Sequence, residues 1–381
     1  MGKRELLLAA AFIILGVSVY QFTAPPVDTS RPRWSFGKML QHVRKEVRGS
    51  RASAKVATNS TVKAPDSLRE MRIVMRSGAI TVTGEDRADI QVNLSVTSNG
   101  VDDAEANRLA QATTVKFDEA GAMLIAKVDY PDPGQQRSSI DIRVPRRLGI
   151  RIDEKNGILK VRDVASVIVG TGRGESVISN VPGAVQVLQR GSTITITDVG
   201  SVKMTTFSGA EARVSKVHGD ANFTLQGGEL RAEEIDGGID VEARNTDVRF
   251  QKMENNRRAL RFNATNGEVV VAGVQTEMRI DGRDTDIRVD QPAAAMLSIY
   301  NEGDESIEFT VPANGFTLDA VSASGRLTAD PALEKAGVKV VGNGASGDDG
   351  RQEFRAAASV RGGGPTVTIR ASRGDIVLRS R

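Results

Sequence analysis

The chain has 381 residues, a formal net charge of +3, no cysteine and two histidines. Its hydrophobic fraction of 39% is enough for a packed core, whereas aromatic residues make up only 4% and glycine accounts for 38 residues. The lack of cysteine excludes disulfides, thiolate nucleophiles and cysteine-based metal sites, and the small net charge gives no footprint for nucleic acid. We therefore expect thin layers with tight turns and no nucleic-acid partner.

The first element in the chain is a mostly apolar run from Leu6 to Phe22, which follows Lys3 and Arg4. A helix of this length would span about 25 Å, which is short but sufficient when flanking cations reach the membrane interface. A cleavage site needs small residues at both key positions, and the nearest candidate begins with the bulky Phe22. We therefore predict that residues 1–22 are an uncleaved, single-pass signal-anchor helix rather than a removed signal peptide.

Residues 23–65 are predicted to be a linker with several prolines and a basic stretch. Leu40, Val43 and Val47 in this stretch are spaced i, i+3, i+7, which is also typical of an amphipathic helix on an anionic membrane. Both interpretations stay open. The basic residues conflict with the positive-inside rule for export. Because large domains translocate despite such charge, we expect the β domain on the periplasmic or extracellular side.

Residues 66–150 are predicted to be the N-terminal strands of the β domain, with one short helix. Apolar and polar residues alternate from Met71 onward, and this alternation stops between Asp102 and Ala112. The interruption predicts a short surface helix with Asp102 as its N-cap. Strands resume at Val115 and lead into the next region.

A short repeated pattern through residues 151–310 organises the chain. In each copy an aliphatic anchor is followed by a turn, and the anchors lie 17, 18, 18, 18, 18, 21 and 18 residues apart. The anchors are Val164, Val181, Val199, Val217, Ile235, Met253, Val274 and Pro292. The residues three and five positions before each anchor are mostly apolar, so each copy begins with a strand that buries one face. Fixed-period similarity of this kind is typical of repeat architectures.

These repeats predict an all-β fold, a parallel β-solenoid with about 18 residues per coil, which residues 311–381 close with C-terminal strands. Each copy is too short for a crossover helix, and residues that accept positive φ turn the chain seven and eight positions before the anchor. They are Asn156-Gly157, Gly191-Ser192, Gly209-Ala210, Gly227-Gly228, Asn245-Thr246 and Asn266-Gly267. An antiparallel sandwich or a propeller is the alternative, because both also use short, evenly spaced strands.

Two outward rows of the repeats carry opposite charge. The acidic row consists of Glu175, Glu211, Glu229, Asp247, Glu268 and Asp286, and the basic row of Lys160, Arg213, Arg231, Arg249 and Arg288. We interpret the rows as a lattice of exposed ion pairs, each worth about 0–1 kcal/mol. A Ca²⁺-binding adhesive strip is the alternative interpretation of the acidic row.

Groups that could support catalysis are few. His218 lies beside Gly219 and Asp220 in what looks like an ordinary turn, so a Ser-His-Asp arrangement is not expected there. The cluster that would suit a polysaccharide lyase or hydrolase comprises Asp281, Asp284, Asp286 and Asp290 with Arg283 and Arg288. We interpret it as part of the charge lattice. We therefore predict no enzymatic activity, no catalytic, cofactor-binding or metal-binding residues, and no cofactor.

Several segments carry loose patterns of glycine and aliphatic residues. They are the glycine-bounded repeats, Ile142-Arg-Val-Pro145, Val311-Pro-Ala-Asn-Gly-Phe-Thr-Leu-Asp-Ala followed by Ser324-Gly325, and the closing Gly363-Gly-Pro-Thr-Val-Thr-Ile-Arg-Ala-Ser-Arg-Gly-Asp-Ile-Val-Leu. Together these segments resemble the bacterial putative-adhesin family of β-strand repeats. The resemblance covers about residues 71–381. It implies a right-handed β-solenoid on an envelope protein, often behind a membrane segment, and it brings no catalytic residues.

The sequence thus predicts a membrane-anchored, adhesin-like β-solenoid with a structural or adhesive role in the bacterial cell envelope. Its expected partners are the membrane through Leu6 to Phe22, anionic lipid through the basic linker, and an envelope protein or a polysaccharide. Two alternatives stay open, a carbohydrate-active β-helix enzyme and a self-assembling envelope scaffold. A cleft lined by carboxylates and aromatic rings would favour the enzyme, whereas exposed, unpaired terminal coils would favour the scaffold.

Overall fold

A computed structural model describes residues 52–132, 136–153, 155–170, 172–343 and 352–381. In these residues the chain is all-β, as predicted, with 24 strands in one hydrogen-bonded network and two short helices. The predicted anchor from Leu6 to Phe22 and the linker up to residue 51 lie outside the described residues. Neither helix in the described part of the chain is long and apolar enough to cross a bilayer.

The elements follow one another in chain order. The N-terminal strands are β1 (Ala52–Lys63), β2 (Glu70–Val74), β3 (Gly78–Glu85), β4 (Asp89–Gly100), β5 (Thr114–Ala120), β6 (Met123–Asp129), β7 (Gln136–Pro145) and β8 (Gly149–Ile152), with helix α1 (Asp103–Gln111) after β4. The repeats contain β9 (Lys155–Arg162), β10 (Ser166–Val169), β11 (Gly172–Arg173), β12 (Ser176–Val217), β13 (Ala221–Ile235), β14 (Ile239–Gln251), β15 (Leu260–Ala272), β16 (Met278–Asp290), β17 (Leu297–Glu302) and β18 (Ile307–Thr310). The C-terminal elements are β19 (Phe316–Ser322), β20 (Leu327–Ala329), helix α2 (Pro331–Lys335), β21 (Val340–Asn343), β22 (Glu353–Val360), β23 (Thr366–Ala371) and β24 (Ile376–Arg379).

In the repeats, neighbouring strands run parallel and pair at the spacing that the sequence predicts. Each of β13 to β16 has two halves that pair separately with the next repeat; in β13, residues 221–226 face residues 239–244, and residues 228–233 face residues 246–251. The two halves meet at a turn, for example at Gly227 with a φ of 74°. Each repeat therefore contributes to two walls. We call the wall of residues 221–226 and their register partners wall 1, and that of residues 228–233 and their partners wall 2.

The apolar columns predicted from the repeats are confirmed. In wall 2, Val214, Ala232, Phe250 and Val271 are successive register partners, and all four side chains are buried. The predicted anchors from Val164 to Val274 are buried too. Stacking in register thus places equivalent apolar residues of successive repeats in one continuous core.

The sheet is mixed: parallel pairing continues beyond the repeats, as between β3 and β7 and between β19 and β23, but antiparallel strands lie near both ends. The prediction of a wholly parallel fold is therefore wrong at the ends. At one end β4 lies antiparallel between β1 and β7. At the other end β22 lies antiparallel between β19 and β21. The closing strand β23 lies between β17 and β19, and β24 lies between β18 and β20. An end repeat has no further repeat to stack on, so the chain folds back to pair its exposed edge.

The prediction of a linker up to residue 65 is wrong for its last part. Residues Ala52–Lys63 form a strand of 12 residues that pairs along its whole length with β4. In this strand, Ala54 is the one residue that is fully buried. The apolar face of β1 is narrow, because Ala52, Val56 and Val62 are only partly buried against the core. Backbone pairing contributes most to holding β1, which is why its polar sequence resembles a linker.

The predicted surface helix is confirmed as α1. The side chain of Asp102 accepts a hydrogen bond from the backbone N–H of Glu105 at 2.8 Å, and the Glu105 carboxylate accepts one from Val101 N–H at 2.8 Å. These reciprocal bonds satisfy N–H groups that a helix start leaves free. Leu109 is buried, and the helix packs against β1 and β4.

Candidate functional site

The outer face of wall 1 carries two rows of side chains with a groove between them. Side chains alternate along a strand, so residues two apart point to the same face and their rows lie roughly 7 Å apart. Row 1 consists of Thr224, Glu242, Asn263, Asp281 and Tyr300, and row 2 of Gln226, Arg244, Thr265, Arg283 and Glu302. Both rows follow the parallel register from β13 to β17, so the groove runs across the strands.

The groove is shallow but long, and it encloses about 650 Å³. Its floor lies between the two rows, where the inward residues include the small, buried Ala243, Ala264 and Gly282. At roughly 4.8 Å per strand, the five strands from β13 to β17 make each row about 19 Å long. Phe207 of β12 also lines the groove and extends it by one strand, to about 24 Å.

An aromatic side chain lies near each end of the groove. Phe207 is 36% exposed and Tyr300 is 46% exposed. Most of the residues that line the groove between them have polar side chains. Because aromatic residues make up only 4% of the chain, two exposed rings in one groove stand out, and their apolar faces are suited to contact with a ligand.

The charged side chains of the groove differ in whether they are already paired. Asp281 lies 2.7 Å from Arg279, and Glu302 lies 2.9 Å from Arg283. By contrast, the side chains of Glu242 and Arg244, at the centre of the groove, have no ion pair or hydrogen bond with another described residue. The same holds for the amides of Gln226 and Asn263. The centre of the groove therefore offers polar groups that a ligand can contact in place of water.

The backbone under the groove is already hydrogen-bonded. Strands β13, β14, β15 and β16 each pair with a parallel neighbour on both sides. The N–H and C=O groups of the sheet are therefore used within the ladder. Contacts to a ligand must come from the side chains of the two rows.

The charged rows of wall 2 form ion pairs, as the lattice interpretation predicts. Arg213 lies 2.7 Å from Glu211, and Arg231 lies 2.7 Å from Glu229. The hydrogen bond from Arg231 lowers the pKa of Glu229, and the nearby charge of Arg249 acts in the same direction. These pairs lie within one strand, on the outer face.

Glu268 connects three repeats, so the ion pairs of the lattice also run between strands. Its carboxylate lies 2.7 Å from Arg249 and 3.1 Å from Arg288, which belong to the strands on either side. Two other acids of the row use different donors. Asp247 accepts a hydrogen bond from the backbone N–H of Glu268 at 3.1 Å, and Asp286 accepts one from the Ser306 hydroxyl at 2.8 Å. Across the described residues, no group of three or more His, Asp or Glu side chains could hold a metal ion.

The aspartate cluster that would suit a polysaccharide lyase or hydrolase is divided between the two walls. Asp284 has a φ of 48° and forms the corner between them, so Asp281 lies before the turn and Asp286 after it. The cluster members have separate partners. The acids Asp281, Asp286 and Asp290 contact Arg279, Ser306 and Arg381, respectively. Arg283 contacts Glu302, and Arg288 contacts Glu268. The turn at Asp284 thus separates Asp281 from the other acids of the cluster.

His218 connects corners of successive repeats. Its Nε2 atom lies 2.8 Å from Asp198 Oδ1, and its Nδ1 atom lies 3.7 Å from Asp236 Oδ2. The hydrogen bond with Asp198 is the main cause that raises the pKa of His218, and the charges of both aspartates contribute. The side chain is 61% exposed. This geometry supports the interpretation of His218 as a turn residue.

Sequence reasoning missed a second row of turns and the groove itself. Residues directly before the anchors adopt φ values of 54° to 60°: Asp163, Asn180, Asp198, Lys216, Glu234 and Lys252. Lysine and glutamate carry no turn signal, which conceals this row. The groove residues occupy ordinary outward positions in the sequence. Their signal in the sequence is a pair of aromatic residues, Phe207 and Tyr300, among outward positions that are otherwise polar.

Comparisons with known proteins find no matching family model and no matching curated protein. Among solved structures, the chain is similar to a putative adhesin from Parabacteroides distasonis ATCC 8503, with a TM-score of 0.35 and 8% identity over 86% of this chain and 97% of that chain. A putative lipid binding protein from the same organism has a TM-score of 0.33 and 15% identity over 67% of this chain and 97% of that chain. A putative adhesin from Parabacteroides merdae ATCC 43184 has a TM-score of 0.30 and 8% identity over 84% of this chain and 95% of that chain. Similarity at this level carries no argument about function.

Proposed function

We propose that the chain is a membrane-anchored, adhesin-like β-solenoid that binds a component of the bacterial cell envelope. The observation that carries the proposal is the stacking of the repeats in parallel register, from β13 to β17 in wall 1. Such stacking turns equivalent side chains into continuous rows, and repeat proteins commonly use extended surfaces of this kind for binding. The right-handedness of the coil stays a prediction.

The electrostatics of the groove favour binding over catalysis. Hydrolysis of a glycosidic bond needs one protonated and one ionised carboxyl group on either side of it. In the groove, Asp281 and Glu302 are already paired with Arg279 and Arg283, so neither carboxyl group faces a ligand without a partner. A carbohydrate-active enzyme remains the second candidate function, because carboxylates and aromatic rings line the same groove.

The ends of the β domain disfavour a self-assembling scaffold. A scaffold in which coils of different molecules stack needs an open parallel edge at each end. Antiparallel strands lie at both ends instead, with β1 beside β4 and β21 beside β22, and the parallel strand β20 at the end of wall 2 is only three residues long. The helix α1 also packs against β1 and β4. End-to-end stacking in the parallel register of the repeats would have to displace these elements.

We further propose a single membrane pass through Leu6 to Phe22 and a β domain on the periplasmic or extracellular side. The apolar run and the size of the β domain support this location. The basic linker adds positive charge next to the membrane, where it can attract anionic lipid. An envelope partner would then reach the outer faces of both walls.

Two measurements on the full chain test this proposal. In spheroplasts of a Gram-negative host that expresses the chain, added protease should digest the β domain before lysis. The purified chain in mild detergent should also co-sediment with washed envelope fragments, and an unrelated membrane-anchored β protein should not. Protection until lysis would contradict the location, and failure to co-sediment would contradict the adhesive role.

A further inference from the structure

We infer that the groove of wall 1 binds an extended, uncharged polysaccharide. The inference rests on the proposed adhesive function and names the chemical class of the ligand. It is carried by the shape of the groove, by its unpaired polar groups, by its charge and by the position of its aromatic rings.

The shape of the groove fits a chain rather than a compact molecule. It is about 24 Å long and roughly 7 Å wide between the two rows of side chains. It runs across successive strands, so a new pair of row 1 and row 2 residues appears at each step of roughly 4.8 Å. A linear polymer can place successive units against successive pairs of residues.

The unpaired polar groups of the groove match ligand groups that both donate and accept hydrogen bonds. The amides of Gln226 and Asn263 can do both, whereas Glu242 accepts and Arg244 donates. None of these four side chains is bonded to another described residue. Sugar hydroxyls are donors and acceptors at once, so adjacent hydroxyls can contact all four groups.

The charge of the groove disfavours a polyelectrolyte. Asp281 and Glu302 are neutralised by Arg279 and Arg283, and the unpaired Glu242 and Arg244 carry opposite charges that cancel. A cleft recruits a polyanion or a polycation when its walls carry one sign of charge. The groove has no such excess, so the polymer that fits it best is uncharged.

The exposed rings lie where a bound polymer would enter and leave the groove. Phe207 and Tyr300 present partly exposed rings near opposite ends of the groove. Sugars have faces of C–H groups, which can pack against the apolar surface of a ring, and the Tyr300 hydroxyl adds a polar group. The two rings can hold the outer sugar units while the polar centre contacts the inner ones.

An extended peptide fits the groove less well. Peptides that bind to sheets usually add a strand at an open edge and place alternate side chains in pockets. Strands β13 to β16 have no open edge, because each pairs on both sides. The residues beside Ala243 and Ala264 line one continuous groove rather than a row of separate pockets for side chains.

Binding of the full chain to defined polymers tests the inference. The probes are a soluble β-linked glucan, an α-linked glucan, a galactomannan and the polyanion polygalacturonate, measured by affinity electrophoresis and calorimetry. We expect binding to at least one neutral polymer and little change in affinity with added salt. Short oligosaccharides of the same polymer should bind more weakly, because they cannot span the groove.

Variants localise the binding. Arg244→Ala and Tyr300→Ala should each weaken binding about tenfold, the loss expected when a charged hydrogen-bonding partner or a ring contact is removed. The matched controls are Arg261→Ala, an exposed arginine of β15 outside the groove, and Met296→Ala, an exposed apolar residue outside the groove. Both controls should bind like the parent, and melting curves should show that all four variants are folded.

Several outcomes would overturn the inference. They are binding to none of the neutral polymers, binding to polygalacturonate alone, and neutral-polymer binding that Arg244→Ala and Tyr300→Ala leave unchanged. If the chain still co-sediments with envelope fragments, the ligand class is wrong and the adhesive function stands. If the chain does not co-sediment with envelope fragments, both the ligand class and the adhesive function are wrong. Release of reducing ends from a bound polymer would instead support the enzyme.

Discussion

Phe250 packs edge to face against Phe262, with ring centroids 5.2 Å apart and an angle of 78° between the rings. Phe250 belongs to wall 2 and Phe262 to wall 1, and both are buried. An aromatic pair of this geometry contributes about 0.5–1.5 kcal/mol beyond the burial of its surface. The contact therefore joins the two walls through the core.

The first prediction concerns this core position. Phe250→Asp would place an unpaired carboxylate among buried apolar residues, so the free energy of unfolding should fall by about 3 kcal/mol or more. Urea denaturation followed by circular dichroism measures the loss. Phe207→Asp is the control, because this ring is partly exposed, and its effect on stability should be small. If Phe250→Asp unfolds like the parent, the register of wall 2 is wrong.

The second prediction concerns the lattice. Glu268→Gln removes the acid shared by Arg249 and Arg288, so stability should fall by about 1 kcal/mol, and added salt should reduce the difference from the parent. Asp240→Asn, an exposed acid of wall 1 whose side chain has no partner among the described residues, should have little effect. Thermal melts at low and high salt measure both.

The same melts distinguish the lattice from a Ca²⁺-binding strip. A site that binds only the folded state raises the melting temperature as Ca²⁺ is added. The lattice predicts no such rise at millimolar Ca²⁺ for the parent or for Glu268→Gln. A rise in the parent that is lost in the variant would overturn the lattice interpretation.

The third prediction concerns pH. Because Asp198 raises the pKa of His218 in the folded state, the protonated imidazole stabilises the fold. This stabilisation is fully present below the unfolded pKa of about 6.5 and is lost as the pH rises through the folded value. Melts of the parent and of His218→Gln should therefore differ at acidic pH and converge at alkaline pH. In Asp198→Asn the NMR titration of His218 should move to lower pH, and an unchanged titration would contradict the role of this carboxylate.

The fourth prediction concerns the anchor. Deletion of Leu6 to Phe22 should release the protein from membranes into the soluble fraction after cell lysis. Immunoblots of washed membranes and supernatant measure the change. Continued sedimentation of the deletion variant would assign membrane attachment to the basic segment from Trp34 to Arg51 instead.

The sequence reveals those parts of the fold that repeat. Val214, Ala232 and Phe250 occupy equivalent positions in successive repeats, and their period is enough to predict a shared column before any contact is known. Asp102 and Glu105 form a local capping pattern, which depends on sequence neighbours alone. Both predictions succeed because the relevant partners recur at fixed spacing or lie within a few residues.

The ends of the fold and the binding groove are not visible in the sequence for a physical reason. The strand β1 is held mainly by backbone pairing with β4, and backbone hydrogen bonds leave no side-chain pattern. The groove depends on which outward residues find partners: Asp281 and Glu302 are paired, whereas Glu242 and Arg244 are not. That difference arises from the positions of neighbouring strands, which the order of residues does not reveal.

Cross-linking between engineered cysteines measures the register of neighbouring repeats. The chain has no cysteine, so Asn222→Cys with Asp240→Cys introduces a single pair at register partners on the outer face. Their Cα atoms should lie roughly 4.8 Å apart, within the range of a disulfide, whereas Asn222→Cys with Glu242→Cys would span about 8 Å. After mild oxidation, mass spectrometry of peptides under non-reducing conditions should find the disulfide in the first pair and not in the second. A disulfide in the second pair, or none in the first, would contradict stacking in this register.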